Sequence, residues 1–180
     1  MYKLDGTDIK EAFEQWNTLL YKYAFVRVGN SEIAEDIIQD TFIRAWRHRD
    51  LFDEKKSSLK NWLFVIATNL IRDHLRKTRT LISPLDENIN DATDIEKESS
   101  RKNLFDFVLI KIKKLLENEQ ELITLRYIQD LSLKETAKIL NMNYSAAKVA
   151  VHRAMKKLRE LCDNDSIQIE TVNRSPVAKL

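Results

Sequence analysis

The sequence predicts an all-helical (all-α) protein: two small helical domains joined by a flexible acidic linker, the second containing a helix-turn-helix. Only two glycines and two prolines occur among its 180 residues, which is too few for a fold rich in turns and strands. Lys, Glu, Leu, Ala and Arg, which favour helices, are abundant. Apolar residues recur at helical spacing along most of the chain, and 43% of all residues are hydrophobic, so a folded core is expected.

The first predicted helix covers residues 8–28. Asp8 is followed three residues later by Glu11, which is the spacing of a capping box, and Gly29 is a favoured stop signal. The residues expected to face inward are Phe13, Trp16, Leu20, Tyr23 and Val26.

Two more helices complete the first predicted domain, residues 1–80. One begins with Ser31 as its N-cap and ends near Arg49, and the other covers residues 59–79 with Ser58 as its N-cap. The inward stripe of the earlier helix includes Ile37, Ile38, Phe42, Ala45 and Trp46, and that of the later helix includes Trp62, Leu63, Ile66, Leu70, Ile71 and Leu75.

Residues 81–100 are predicted to form the linker, because Pro84 breaks a helix and six acidic residues accompany a single lysine. A second domain follows over residues 101–162, and residues 163–180 form a polar tail that we expect to be disordered. Helices of the second domain are predicted at residues 101–116, 118–128, 132–140 and 144–161.

The pattern of residues 131–159 indicates a helix-turn-helix. Ala137 supplies the small residue needed where two helices meet, and Asn141, four positions later, tolerates the left-handed turn conformation. Ser132 suits the first N-cap. An ordinary helix pair with a solvated basic face remains the alternative. The outer face of the second helix would present Tyr144, Ser145, Lys148, Val149, His152, Arg153 and Lys156 to base edges and phosphates.

Charge is distributed unevenly although the net charge is only +2. Residues 57–80 hold five basic residues and one acid, and residues 136–159 hold six basic residues and no acid. Residues 31–40 hold four acids and no basic residue. Two basic segments in one chain suggest two surfaces that face polyanions, although solvated helix faces would give the same pattern.

Several classes of protein fit the sequence poorly. The single cysteine, Cys162, rules out an internal disulfide framework and favours the reducing cytoplasm. No signal peptide or apolar run long enough to span a membrane is visible. An enzyme is disfavoured because His48, His74 and His152 lack metal-ligand spacing and no glycine-rich phosphate loop occurs. We therefore predict no catalytic residue, no metal site and no cofactor.

Three stretches in order resemble the extracytoplasmic-function group of bacterial RNA polymerase sigma factors. They are AEDIIQDTFIRAW at residues 34–46, SLKNWLFVIATNLIRDHLRK at residues 58–77, and a helix-turn-helix stretch at residues 121–160. With the first helix, the resemblance covers nearly all of residues 10–160. This chain departs from the family at Ser145 to Ala147 and at Val149 and Ala150, so the family's base preference does not transfer directly.

The resemblance implies that the first domain corresponds to sigma region 2 and the second to region 4. The expected partners are core RNA polymerase, through its beta-prime and beta subunits, and promoter DNA. An anti-sigma factor often restrains this group, but no residue here identifies one. The implied core-binding residues are Asp36, Gln39 and Asp40, the minus-ten residues are Lys55, Lys56, Asn69, Arg72, Asp73, Arg76 and Lys77, and the minus thirty-five residues are those of the outer helix face named above.

A free-standing helix-turn-helix regulator is the alternative function. Such proteins usually bind paired half-sites as dimers. The sequence shows no sustained heptad for a dimer, although the helix predicted at residues 101–116 could serve, and this alternative leaves the motifs of the first domain unexplained.

Overall fold

The computed structural model describes residues 4–81 and 100–173, and it describes side chains over residues 4–80 and 106–163. The predicted linker lies almost entirely outside these ranges. All regular structure within them is helical, as predicted. The helices are α1 (Gly6–Val28), α2 (Ser31–Arg47), α3 (Leu59–Leu81), α4 (Ser100–Lys113), α5 (Glu117–Ile123), α6 (Leu133–Ile139) and α7 (Tyr144–Asn173), with a 3-10 turn at Arg49–Leu51 and a π-helical turn at Thr124–Ile128.

Helix α1 begins earlier than predicted. Asp5 is its N-cap: the Asp5 carboxylate accepts hydrogen bonds from the backbone N–H groups of Thr7 and Asp8, and the Asp8 carboxylate accepts one from the backbone of Asp5 at 2.7 Å. Leu4 and Ile9, which flank this box at the positions of a hydrophobic staple, are both buried. The predicted box, one turn later, is therefore wrong.

Helices α1, α2 and α3 pack on one another around a shared core. At its centre the Tyr23 hydroxyl is hydrogen-bonded to the Thr68 hydroxyl at 3.0 Å, and burial raises the pKa of Tyr23 to about 12. The predicted caps at Gly29, which has φ 78°, and at Ser58, which accepts from the backbone of Asn61, are confirmed. The predicted N-cap Ser31 is wrong, because the Asn30 side chain caps α2 by accepting a hydrogen bond from the backbone N–H of Ile33 at 2.9 Å. Core residues from these helices include Leu20, Ile37, Phe42, Ala45, Leu63, Phe64, Leu70 and Ile71.

Two aromatic residues that were predicted to face inward lie partly at the surface. Phe13 and Trp46 are each 44% exposed, because the neighbouring Ala12 and Ala45 occupy the inward positions of their helices. The Trp46 ring lies under the Arg49 guanidinium, 4.3 Å from ring centroid to Cζ. Helical spacing alone cannot choose between adjacent apolar residues, and here the smaller one fits the close helix contact.

Helices α4 to α7 form the second domain, with a small core of their own. Helix α4 ends at Lys113 rather than at residue 116, and α7 continues to Asn173. The expected disorder from residue 163 is thus wrong as far as Asn173, and the rest of the tail lies outside the described residues. The core consists of Ile112, Leu115, Ile123, Ala154 and Leu158.

The two domains pack against each other through α3 and α6 and through α1 and the π-helical turn. The core of the first domain continues without interruption into the second, which the sequence did not predict. The second-domain residues that join it are Leu122, Leu125, Leu131, Ile139, Leu140 and Val151.

Candidate nucleic-acid interface

The predicted helix-turn-helix is present in α6 and α7. Ser132 caps α6 and forms a capping box with Glu135. Ala137 is 4% exposed where the two helices meet. Asn141 adopts φ 54°, the left-handed conformation expected of it, and the backbone N–H of Met142 donates to the Ala137 carbonyl at 2.8 Å. These contacts fix the angle at which α7 leaves the turn.

Helix α7 has a buried face and an exposed basic face. Its N-cap is Asn143, whose side chain accepts a hydrogen bond from the backbone N–H of Ala146 at 2.7 Å. Ala147, Val151 and Ala154 point into the protein. Every residue that the sequence assigned to minus thirty-five recognition is exposed on the other side: Tyr144, Ser145, Lys148, Val149, His152, Arg153 and Lys156.

The three residues assigned to core polymerase binding lie together on α2. Asp36, Gln39 and Asp40 are all exposed, and their spacing of three and four places them on one helix face. Ile37 and Ile38, which lie between them in sequence, are buried and hold the helix against the core. The face is therefore acidic, accessible and fixed in orientation.

A shallow groove between α1 and α2 adjoins this acidic face and was missed by the sequence analysis. Phe13, Asn17 and Tyr21 line it from α1, and Ile38 and Gln39 line it from α2. The exposed part of the Phe13 ring supplies apolar surface beside the polar Gln39. The available sequence signal was the presence of five aromatic residues in α1, of which the structure fully buries only Tyr23.

The loop before α3 presents two exposed lysines. The Asp53 carboxylate accepts a hydrogen bond from the backbone N–H of Lys55 at 3.0 Å and forms an ion pair with Lys56 at 3.5 Å. The Lys56 carbonyl in turn accepts a hydrogen bond from the Lys138 ammonium of α6 at 3.2 Å. This loop is therefore in contact with the second domain.

The other residues assigned to the minus-ten element form a stripe along one face of α3. Asn69 and Lys77 are exposed, and the Arg76 guanidinium pairs with the Asp73 carboxylate at 3.0 Å. Arg72 differs from the others because its Nε and Nη2 donate to the two carboxylate oxygens of Glu121, at 2.8 and 2.6 Å. These hydrogen bonds raise the pKa of Arg72 above its ordinary value.

Over the residues described, no group of three or more His, Cys, Asp or Glu side chains could hold a metal ion. Within the same residues, no helix is both long enough and apolar enough to cross a membrane.

Comparison with known families matches both domains. Residues 12–80 match Sigma-70 region 2, and residues 111–158 match Sigma-70 region 4. The first range covers most of α1, all of α2 and nearly all of α3, and the second covers α5, α6 and the first half of α7.

Curated relatives align with most of the length of this chain. The ECF RNA polymerase sigma factor SigW of Bacillus subtilis is 32% identical over 156 residues, which cover 78% of this chain and 81% of SigW. RNA polymerase sigma factor SigZ of the same organism is 32% identical over 87% of this chain and 88% of its own length. The ECF sigma factor BldN of Streptomyces coelicolor is also 32% identical, but the chain spans only 60% of its length.

A solved structure shares the arrangement of helices. The sigma factor RpoE of Bartonella quintana, solved in complex with the anti-sigma factor NepR, matches 87% of this chain and 97% of its own, with a TM-score of 0.73 and 26% identity. The free-standing regulator receives no support from these comparisons. Two sigma-70 regions in order, with relatives that match along most of their length, show that the chain belongs to the extracytoplasmic-function group of RNA polymerase sigma factors, which direct the polymerase to promoters.

Proposed function

We propose that this sigma factor uses three separate surfaces to bring core RNA polymerase to a promoter. The acidic face of α2 binds the polymerase, the stripe on α3 with the loop before it binds the minus-ten element, and the outer face of α7 reads the minus thirty-five element. The observation that carries this proposal is that the three residue sets are accessible on α2, on α3 with the loop before it, and on α7, while the opposite side of each helix is buried. The sigma factor itself acts in the cytoplasm without a catalytic site, and the polymerase performs the chemistry.

Docking on the polymerase would begin at Asp36 and Asp40. Complementary charge speeds encounter and fixes register, so these carboxylates suit a basic surface such as the coiled-coil helices that the family binds on the beta-prime subunit. The adjoining groove adds an apolar contact through Phe13, whose exposed ring would be covered by the partner. A mixed apolar and acidic surface of this kind supplies both affinity and orientation.

Recognition of the minus-ten element would occur on the opened DNA strand. Separating a base-pair step costs on the order of 1–2 kcal/mol of stacking. Capture of an unpaired base by a polar side chain such as Asn69, together with phosphate contacts from Arg76 and Lys77, offsets this cost. Lys55 and Lys56 lie close to the start of α3 and extend the basic surface.

Recognition of the minus thirty-five element would place the first turns of α7 in the major groove. Tyr144, Ser145 and Lys148 lie near the N-terminus of the helix, where side chains reach base edges. Arg153 and Lys156 lie further along and suit phosphates. Each element is then bound weakly, and attachment of both domains to one polymerase raises their effective concentration at the promoter.

An anti-sigma factor is a further proposed partner. The Bartonella quintana protein with a similar arrangement of helices was solved bound to such a factor. The exposed apolar groove beside Phe13 is compatible with a protein partner as well as with the polymerase.

Charge reversal on α2 tests the docking surface. We expect the double variant Asp36→Lys and Asp40→Lys to lose at least tenfold in affinity for core polymerase, because it places like charges against a basic partner. The matched control, Glu160→Lys with Asp163→Lys, makes the same change in net charge on α7 and should bind normally. Affinity is measured by fluorescence anisotropy of the labelled full chain. Equal affinity of the two double variants would remove α2 from the docking surface.

A further inference from the structure

Glu121 of α5 lies at the centre of the contact between the two domains. Its side chain is only 3% exposed, and both carboxylate oxygens accept hydrogen bonds from Arg72 of α3. A second guanidinium, that of Arg27 at the end of α1, lies 3.7 Å from the same carboxylate and is fully buried. One acidic side chain of the second domain therefore compensates two basic side chains of the first.

The buried charges of this cluster are compensated only while the two domains are in contact. A buried charge that loses its partner is strongly destabilising, so Arg27 and Glu121 can stay buried only while they remain together. The Arg27 side chain also donates to the backbone carbonyl of Glu117 at 3.0 Å, and the Lys113 ammonium donates to the Arg27 carbonyl at 2.8 Å. All of these contacts join the first domain to the second.

The Arg72 contact has the geometry of phosphate binding. A guanidinium presents two parallel N–H groups that fit a carboxylate and a phosphate in the same forked manner. Arg72 lies in the stripe that is assigned above to the promoter strand, between Asn69 and Arg76. While Arg72 donates to the Glu121 carboxylate, its Nε and Nη2 groups are not available to a DNA phosphate.

Other contacts hold the second domain against both ends of the minus-ten surface, which consists of the stripe on α3 and the loop before it. Glu117 pairs with Arg79 at the end of α3, at 3.0 Å. Lys138 of α6 binds the carbonyl of Lys56 in the loop before α3. The second domain thus touches the minus-ten surface at its loop, at its middle and at its far end.

We propose that the free chain is held in a closed state in which Glu121 replaces a promoter phosphate at Arg72 and keeps the second domain over the minus-ten surface. This inference rests on the proposed function, because it requires α3 to be a DNA-binding surface. Opening separates Arg72 from Glu121 and makes the guanidinium available to the DNA strand. DNA and the second domain therefore compete for one side chain.

The contact between Arg72 and Glu121 that holds the closed state is called the latch below. The variant Glu121→Gln tests it, because this variant keeps the size of the side chain and removes its charge. Two dyes on Lys10→Cys and Glu160→Cys, in a Cys162→Ser background, report the separation of the domains by Förster transfer in the full chain. We expect the ratio of open to closed chain to rise by about tenfold or more, since charged hydrogen bonds are lost. Affinity for a fluorescent single-stranded DNA 20-mer of mixed sequence should rise with it.

Two controls make the test specific. Glu119→Gln changes the net charge equally but breaks an ion pair with Lys157 inside the second domain, so it should change neither readout. Adding Arg72→Ala to Glu121→Gln should abolish the gain in DNA affinity. If Glu121→Gln fails to fold, Glu117→Gln at the more exposed end of the contact should give a smaller shift in the same direction.

The failures of the two proposals are distinguishable. Unchanged transfer efficiency in both Glu121→Gln and Glu117→Gln would overturn the latch and leave the proposed surfaces standing. Opening of the domains without any gain in affinity for the 20-mer would overturn the competition by showing that α3 does not bind DNA, and the minus-ten assignment would fail with it.

Discussion

Helices α3 and α7 both present a row of basic side chains, but they differ in whether acidic side chains of the other domain pair with them. On α3, Arg72 binds the Glu121 carboxylate and Arg79 binds Glu117, so two cations already have acidic partners from the other domain. On α7, Lys148 and Arg153 are exposed and pair with no acid among the described side chains. The charge of the sequence therefore identifies both basic surfaces. Only the fold shows that the α3 surface is occupied by acids of the second domain and that the α7 surface is open.

The largest expected effect is a loss of stability on substitution of Arg27, which is buried beside the contact between α3 and Glu121. We expect Arg27→Ala to lower the free energy of unfolding by about 3 kcal/mol, because it removes a buried partner of Glu121 and leaves a cavity. Urea denaturation of the full chain measures this. The control Arg79→Ala breaks an exposed pair with Glu117 and should cost less than about 1 kcal/mol. Similar losses for both variants would contradict the distinction between buried and exposed contacts.

The open surface should respond through DNA binding and not through stability. We expect Lys148→Ala and Arg153→Ala each to weaken binding to promoter duplex by about tenfold and to leave core polymerase affinity unchanged. If about five phosphates are contacted, the log-log salt slope of the parent chain is about −4 to −5, and loss of one phosphate contact makes it smaller by about 1. Loss of core binding in either variant would show that the two domains have been assigned wrongly.

A smaller expected effect is the contribution of Lys113 to the pH dependence of the free energy of unfolding. Although much of this residue is exposed, its ammonium is held against the Arg27 carbonyl, and burial together with the nearby Arg27 charge lowers its pKa to about 8. The folded pKa lies below the unfolded value, so the unfolded chain binds more protons between about pH 8 and 10.5 and stability gains with rising pH in this window. Lys113→Met should lose this gain in urea denaturation at pH 8 and pH 10. An identical pH dependence in both chains would contradict the burial of the ammonium.

Much of the fold could be predicted because its signals are local. Gly29, Ser58, Ser132 and Asn141 end or begin helices through their own backbone and side-chain chemistry, and each does so where predicted. The error at the start of α1 arose because the same spacing of acids occurs twice, and burial of Leu4 selects the earlier position.

The contact between the domains could not be predicted in this way. From the sequence alone, Arg27 is a basic residue in the last turn of a helix, and Glu121 has the pattern of an acid exposed to solvent. The two residues are 94 positions apart in sequence, and only the packing of α1, α3 and α5 brings them together. Exposed site residues such as Asp36 and Arg153 were easier to find, because a motif and its helical spacing already place them on one face.

The most direct test of the central claim is run-off transcription with bacterial core RNA polymerase and fragmented genomic DNA from the source organism, with and without this protein. We predict discrete transcripts that require both the protein and the core enzyme, with start sites that share a minus-ten and a minus thirty-five sequence. Absence of such transcripts, together with sequence-specific DNA binding by the protein alone, would contradict the assignment of a sigma factor function to this chain.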